Sequence, residues 1–391
     1  MKTGYVQRYQ RDFESFYPNG RAFAFYKGRV ALYAILRALD IQPGDEVIMP
    51  GFTCLVDATP VKYLGAKPVY VDIDEDIYNM DLGKLEEKIT DRTKVVIAQH
   101  TYGYPLEMDL LLEIAGKHNF KIVEDCCHTF GSKYKNRLAG AFGDAAYFSS
   151  QWNKLYTTGI GGVAVLYNES DIRKLEQICN VELGKAGFKD VSLLFLELLA
   201  HKMILYPQSS ALLQKLFRWL SGKGLIVGSS SKKELASEAG CNVNMPEEFF
   251  TAMSALQART GISRLKMIDK NICHRKKIVK IYDDILAERG WRVTKYSDYI
   301  EPVLVRYPVL VDNKKKTLEL AESRFVELGD WFVSPLHDEV KNFEIYDYIP
   351  GMCPIAEKIC KHVVNLPVHQ RVSEKQAIRT AKFICQFEQF R

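Results

Sequence analysis

Short apolar runs alternate with helical patterns through the first 166 residues, and this alternation leaves few folds open. The runs are 22–25, 46–50, 68–73, 94–99, 121–126, 145–149 and 163–166. Helical periodicity separates several of them, over 30–39, 55–64 and 106–118. Turn residues punctuate the pattern at Pro43-Gly44-Asp45 and at Gly65-Ala66-Lys67-Pro68. Strands that alternate with helices argue for a mainly parallel sheet covered on both faces. We therefore expect an α/β fold whose large domain is built on a mainly parallel seven-stranded sheet. Ligands in such sheets bind beyond the carboxyl ends of the strands.

The second half of the chain reads differently. Residues 247–288 look helical, with Phe250, Met253, Leu256, Ile262 and Leu265 near a 3.6-residue period, and 303–311 and 331–334 look like strands. This predicts a large domain over 1–246 and a smaller C-terminal α+β domain over 247–391. The 391 residues are enough for both. A net charge of +5 with no dense basic tract gives no nucleic-acid face. The nine cysteines hold no C-x-x-C pair, and Cys126 and Cys127 sit side by side on an expected strand, facing opposite ways. Neither a zinc or other metal site nor a disulfide framework is expected. The N-terminus carries no apolar signal region, so a cytoplasmic, reduced protein is expected.

Three residues near expected strand ends carry a specific chemistry. Asp125 lies next to the end of one run, Ser149 closes the next, and Lys154 follows in Gln151-Trp152-Asn153-Lys154. Pyridoxal phosphate needs this set: a lysine amine to form an imine with its aldehyde, a carboxylate to keep its pyridine nitrogen protonated, and a hydroxyl for its phosphate. Lys27-Gly28-Arg29 opens the first helix, where free N–H groups make an anion site and Gly28 lets the backbone come close. Arg29 either adds charge there or faces solvent. His128 either reaches the cofactor ring or its phenolic oxygen, or is a hydrogen-bonded core histidine. The Gly159-Ile160-Gly161-Gly162 run reads as a tight turn.

The same residues carry a family resemblance. Gly28-Arg29-Val30-Ala31-Leu32, Pro43 through Pro50, Gly65 through Asp72, His100-Thr101-Tyr102-Gly103, Glu124-Asp125-Cys126-Cys127-His128 and Phe148 through Lys154 resemble the DegT/StrS-type sugar aminotransferases, a fold type I pyridoxal phosphate family. Looser matches are Gly240 through Met245 and Val364 through His369, so the resemblance covers nearly the whole chain except about 180–239. It implies a homodimer with a shared active site. It implies transfer of an amino group, usually from glutamate, to a keto sugar nucleotide, for surface polysaccharide or secondary metabolite biosynthesis. By position, Lys154 would be the imine lysine and Asp125 the pyridine partner. Gly28, Arg29 and Ser149 would hold the phosphate, joined by Asn242 from the neighbouring subunit. The chain departs from the family's Ser-Gly-Thr at Lys27-Gly28-Arg29, from a ring-stacking aromatic at Cys54, and from an arginine at Asn244.

Two alternatives remain: a catalytically silent pyridoxal-phosphate-binding regulator or scaffold, and a deoxysugar dehydratase. Lys154 argues against the second, because histidine replaces the lysine in the similar dehydratases. Within the apolar insertion at about 180–239, residues 191–226 suit two amphipathic helices rather than a membrane span. They would add core, dimer surface or a lid, or touch a membrane peripherally.

Overall fold

The computed structural model describes residues 4–203, 243–337 and 342–390. All seven expected strands form, and they lie in one sheet. Its order is Arg21–Phe25, Gly162–Leu166, Ala145–Ser149, Lys121–Asp125, Thr93–Gln99, Glu46–Pro50, Lys67–Val71. By packing, the chain divides into two units. One comprises Met1–Asp45, Val56–Lys67 and Gly140–Ile268; the other comprises Glu46–Leu55, Pro68–Ala139 and Asp269–Arg391.

In the first unit, Gly162–Leu166 runs antiparallel to both of its neighbours. The register sets Gly162 opposite Phe25 on one side and Ser149 on the other. Three strand ends thus meet at Gly162. The helix Gly28–Ala38 starts immediately beyond, with Ala31, Leu32, Ala34, Ile35, Leu36 and Ala38 all buried. An apolar helix of this kind has no solvent face and must be packed all round.

In the second unit, Glu46–Pro50, Thr93–Gln99 and Lys121–Asp125 pair in parallel, and Gln99 lies opposite Asp125. Val95, Val96, Ile97 and Ala98 are all buried, as a strand covered on both faces requires.

Some expectations are corrected. The strand read over 121–126 ends at Asp125, because the Asp125 carboxylate accepts the backbone N–H of Cys127 at 2.8 Å and turns the chain. Cys126 and Cys127 therefore lie past the strand. The helical stretch 247–288 is two helices, Ala255–Leu265 and Ile268–Glu288. The first begins late because Ser254 and Gln257 form a capping box. Residues 331–334 are irregular rather than a strand. Gly329 bridges Asn365 on one side, and Leu336–His337 pairs in parallel with Thr53–Cys54 on the other. The strand expected over 303–311 is shorter, Arg306–Leu310, and pairs antiparallel with Val363–Pro367.

One further helix, Tyr5–Glu14, has no counterpart in the expected pattern. Only Tyr9 and Phe13, four residues apart, are buried on it. The Phe13 ring meets Phe148 edge-on at 4.9 Å, and the Tyr9 and Tyr156 hydroxyls share a 2.8 Å hydrogen bond. Among the described residues, no helix is long and apolar enough to cross a membrane. Of the expected helix pair over 191–226, the helix Phe188–Met203 is formed, and residues 204–226 lie outside the described residues.

Candidate active site

The first cluster of expected site residues is held together by the absence of side chains. A β-carbon on Gly28 would sit 3.0 Å from Ser149 Cβ and 3.2 Å from its Oγ. A β-carbon on Gly162 would sit 2.3 Å from the Lys27 carbonyl oxygen and 2.6 Å from Gly28 Cα. Two glycines thus let the start of the helix Gly28–Ala38 settle against the Ser149 hydroxyl. Lys27, at the N-cap, offers no side-chain acceptor, so the first N–H groups of the helix carry no cap from it. The N-terminal partial positive charge and an adjacent hydroxyl together suit a phosphate. Arg29 is buried at 5% exposure rather than facing solvent, which keeps a fixed cation on the first turn.

Lys154 follows in a turn whose backbone N–H donates to the Gln151 carbonyl at 3.1 Å, and its side chain is half-buried. The turn is braced from several sides. Gly159 adopts φ +86°, as a tight turn there requires. Leu194, from Phe188–Met203, packs with Ile160 and Tyr26 in one buried cluster. Gln257 is fully buried and donates to the Tyr26 carbonyl at 3.1 Å and also to the Ile160 carbonyl. One amide thus ties the strand end before Gly28 to the loop after Lys154. Sequence reading did not assign Gln257 this role, although Ser254-x-x-Gln257 is a readable helix-start signal.

The second cluster lies at the end of Lys121–Asp125. Asp125 is buried at 2% exposure, and its backbone carbonyl accepts the His100 N–H at 3.2 Å. His100 and Glu124 are fully buried and 3.0 Å apart, Nε2 to Oε2. His100 Nδ1 accepts the Leu106 N–H at 3.1 Å, so the ring proton sits on Nε2 and is donated to Glu124. Cys126 adds its sulfur to this pair within 4.8 Å, a grouping that could in principle ligate a metal. Both histidine nitrogens are already engaged within the protein. Burial, with the Glu124 and Asp125 charges, pushes the Cys126 thiol well above its ordinary range and keeps it protonated. The arrangement is that of a hydrogen-bonded structural pair beside a buried thiol.

His128 is buried, and its ring stacks on Trp331 at 4.9 Å. Trp331 was not singled out from sequence, since 203 residues separate it from His128. Cys54 pairs with His337 across the short parallel strands, and Phe52, two residues before it, stacks on Phe332 at 4.0 Å. Asn242 lies outside the described residues.

Comparison with known proteins fits this picture. The DegT/DnrJ/EryC1/StrS aminotransferase family matches residues 1–222 and 209–384. The chain belongs to that family. Among relatives, a GDP-perosamine synthase of Escherichia coli O157:H7 is 40% identical over 164 residues, covering 42% of this chain and 45% of that protein. Another GDP-perosamine synthase, from Caulobacter vibrioides, is 32% identical over 291 residues, covering 74% of this chain and 64% of its own. These matches thus span less than two thirds of either relative. Among solved structures, a DegT DnrJ EryC1 StrS aminotransferase from Brucella abortus superposes with a TM-score of 0.75 at 20% identity, covering 98% of this chain and 90% of that one. As a DegT/DnrJ/EryC1/StrS family member, the chain shares the α/β fold of that structure.

Proposed function

We propose that this family member is a pyridoxal-phosphate-dependent aminotransferase that moves an amino group from glutamate to a keto sugar nucleotide. The observation that carries the reading is the close approach of Gly28, at a helix start without a side-chain cap, to Ser149, which stands five residues before Lys154. A phosphate-bearing cofactor with a lysine-reactive carbonyl matches that donor set. The bound cofactor would supply an aldehyde that accepts the amino group and a ring that stabilises negative charge at the donor's α-carbon.

The chain's own groups divide the work. The first-turn N–H groups from Gly28, the Arg29 charge and the Ser149 hydroxyl would hold the phosphate. The Asp125 carboxylate would hold the proton on the pyridine nitrogen. The buried ring of His128 would reach the cofactor ring or its phenolic oxygen. Lys154 Nζ would hold the cofactor's aldehyde end and would serve as the proton carrier at the donor's α-carbon. The two half-reactions give ping-pong kinetics. The substrate class is supported by the relatives named as GDP-perosamine synthases. The product would feed surface polysaccharide or a secondary metabolite. The enzyme would work in the cytoplasm as a homodimer, with Asn242 completing the phosphate site of its partner. The division into domains 1–246 and 247–391 belongs to the same reading.

The test is chemical. Borohydride reduction of the protein with pyridoxal phosphate should fix the cofactor on the peptide bearing Lys154, as seen by mass spectrometry. Label on another lysine, or none, overturns the assignment. Incubation with glutamate should bleach the visible band of bound cofactor. A keto sugar nucleotide should restore it. A band unmoved by glutamate would mark a silent binder.

A further inference from the structure

The His128 ring lies in an aromatic ladder assembled from distant parts of the chain. Trp331 stacks on it at 4.9 Å with 27° between the planes. The Arg306 guanidinium sits 4.7 Å from the centre of the Trp331 ring. Tyr102, nearly parallel to His128 at 6.4 Å, donates its hydroxyl to the Trp331 carbonyl at 3.3 Å. Asn365 in turn donates to the Tyr102 hydroxyl at 3.1 Å. Gly329, two residues before Trp331, exchanges backbone hydrogen bonds of 2.8 and 2.9 Å with Asn365. A β-carbon on Gly329 would sit 2.4 Å from Arg306 Nη1, so this glycine leaves room for the guanidinium. Trp331 is thereby fixed through both its backbone and its ring, and an indole held under a cation makes a rigid platform.

We propose that Trp331 is a positioning residue that sets the plane of the His128 imidazole toward the cofactor. The inference deepens the pyridoxal phosphate reading and rests on it. Imidazole rotates about two torsions, and a flat partner 4.9 Å away restricts the second one. Loss of the indole frees the ring to turn, so the contact of His128 with the cofactor weakens although His128 itself remains.

A double-mutant cycle tests this, read by cofactor affinity and by the visible absorbance maximum of the bound cofactor. Trp331→Leu and His128→Leu should each weaken cofactor binding roughly 3- to 10-fold, the worth of one stacked aromatic contact. Both should move the absorbance maximum in the same direction. The double variant should be no weaker than His128→Leu alone. Trp331→Phe should recover most of the affinity and the wild-type absorbance maximum. Should Trp331→Leu fail to fold, the cycle runs with Trp331→Phe, whose partial loss should vanish in the His128→Leu background. Losses that multiply in the double variant overturn the positioning role and leave the cofactor reading standing. A wild-type protein that binds no pyridoxal phosphate overturns both.

Discussion

The cluster around Gly28 and the cluster around His128 are built from different material. The first is made of backbone: two glycines, a helix start and one hydroxyl, brought close because β-carbons are missing. The second is made of side chains: a buried His100–Glu124 pair and a ladder of three rings, Tyr102, His128 and Trp331, with the Arg306 guanidinium on its end. A backbone site tolerates little added volume but has few partners to lose. A side-chain site is redundant in volume but depends on each partner. The two clusters should therefore fail differently when perturbed.

The largest effect belongs to neither scaffold but to the reactive amine. Lys154→Ala should lower turnover by about 10³-fold or more, the upper range for loss of a positioned proton carrier. Melting temperature should barely change, because the side chain is half-buried in a turn. A large fall in stability with modest loss of turnover would mean that Lys154 braces the fold instead.

Second is the side-chain cluster. His100→Leu removes the His100 donor from the buried Glu124 carboxylate and should destabilise the protein by about 3 kcal/mol in urea unfolding. Replacing both His100 and Glu124 with leucine should recover much of that loss, since an apolar pair carries no unpaired charge. A double variant as unstable as the single would mean that shape rather than charge pairing holds the strand end.

The backbone cluster gives a sharper contrast. Gly28→Ala gains up to about 1 kcal/mol in helix propensity, offset by the contact its new β-carbon makes with Ser149. Stability should stay nearly flat while cofactor affinity falls. Gly162→Ala drives a β-carbon against the Lys27 carbonyl, which cannot swing away as a side chain can. It should cost about 1–3 kcal/mol and lose cofactor affinity as well. Equal stability for the two variants would erase the distinction between a functional and a structural glycine here.

This contrast also explains what was legible in the sequence. The seven strands could be read because buried parallel strands are runs of apolar residues with few alternatives. The meeting of Gly28 with Ser149 could be read because each stands at a fixed step from a strand end. Gly162 was seen only as part of a turn, since its contact with Lys27 and Gly28 depends on the pairing of three strands. Trp331 was read into a strand because its neighbours are apolar. Pairing of Gly329 with Asn365 and of Leu336 with Thr53 uses the flanks and leaves residues 331–334 irregular. The helix Tyr5–Glu14 escaped because its two buried rings give too short an apolar stripe to mark a period.

The smallest effects separate the two faces of the helix Phe188–Met203, which backs the Lys154 loop. Leu194 is fully buried against Ile160 and Tyr26, while Phe195, the next residue, is 52% exposed. Phe195, Val191, Ser192 and Leu196, with Leu256, line an open apolar groove. Leu194→Ala should destabilise by about 2–3 kcal/mol and loosen the loop, lowering turnover several-fold. Phe195→Ser should stay within about 0.5 kcal/mol of wild type, because its ring already meets solvent. Liposome flotation of the Phe195→Ser and wild-type proteins adds a second reading of that outer face. Equal flotation of the two would remove Phe195 from any peripheral membrane contact. A stability loss at Phe195 matching that at Leu194 would mean that the outer face is covered in solution, and its burial would then have to be counted with the backbone cluster it supports.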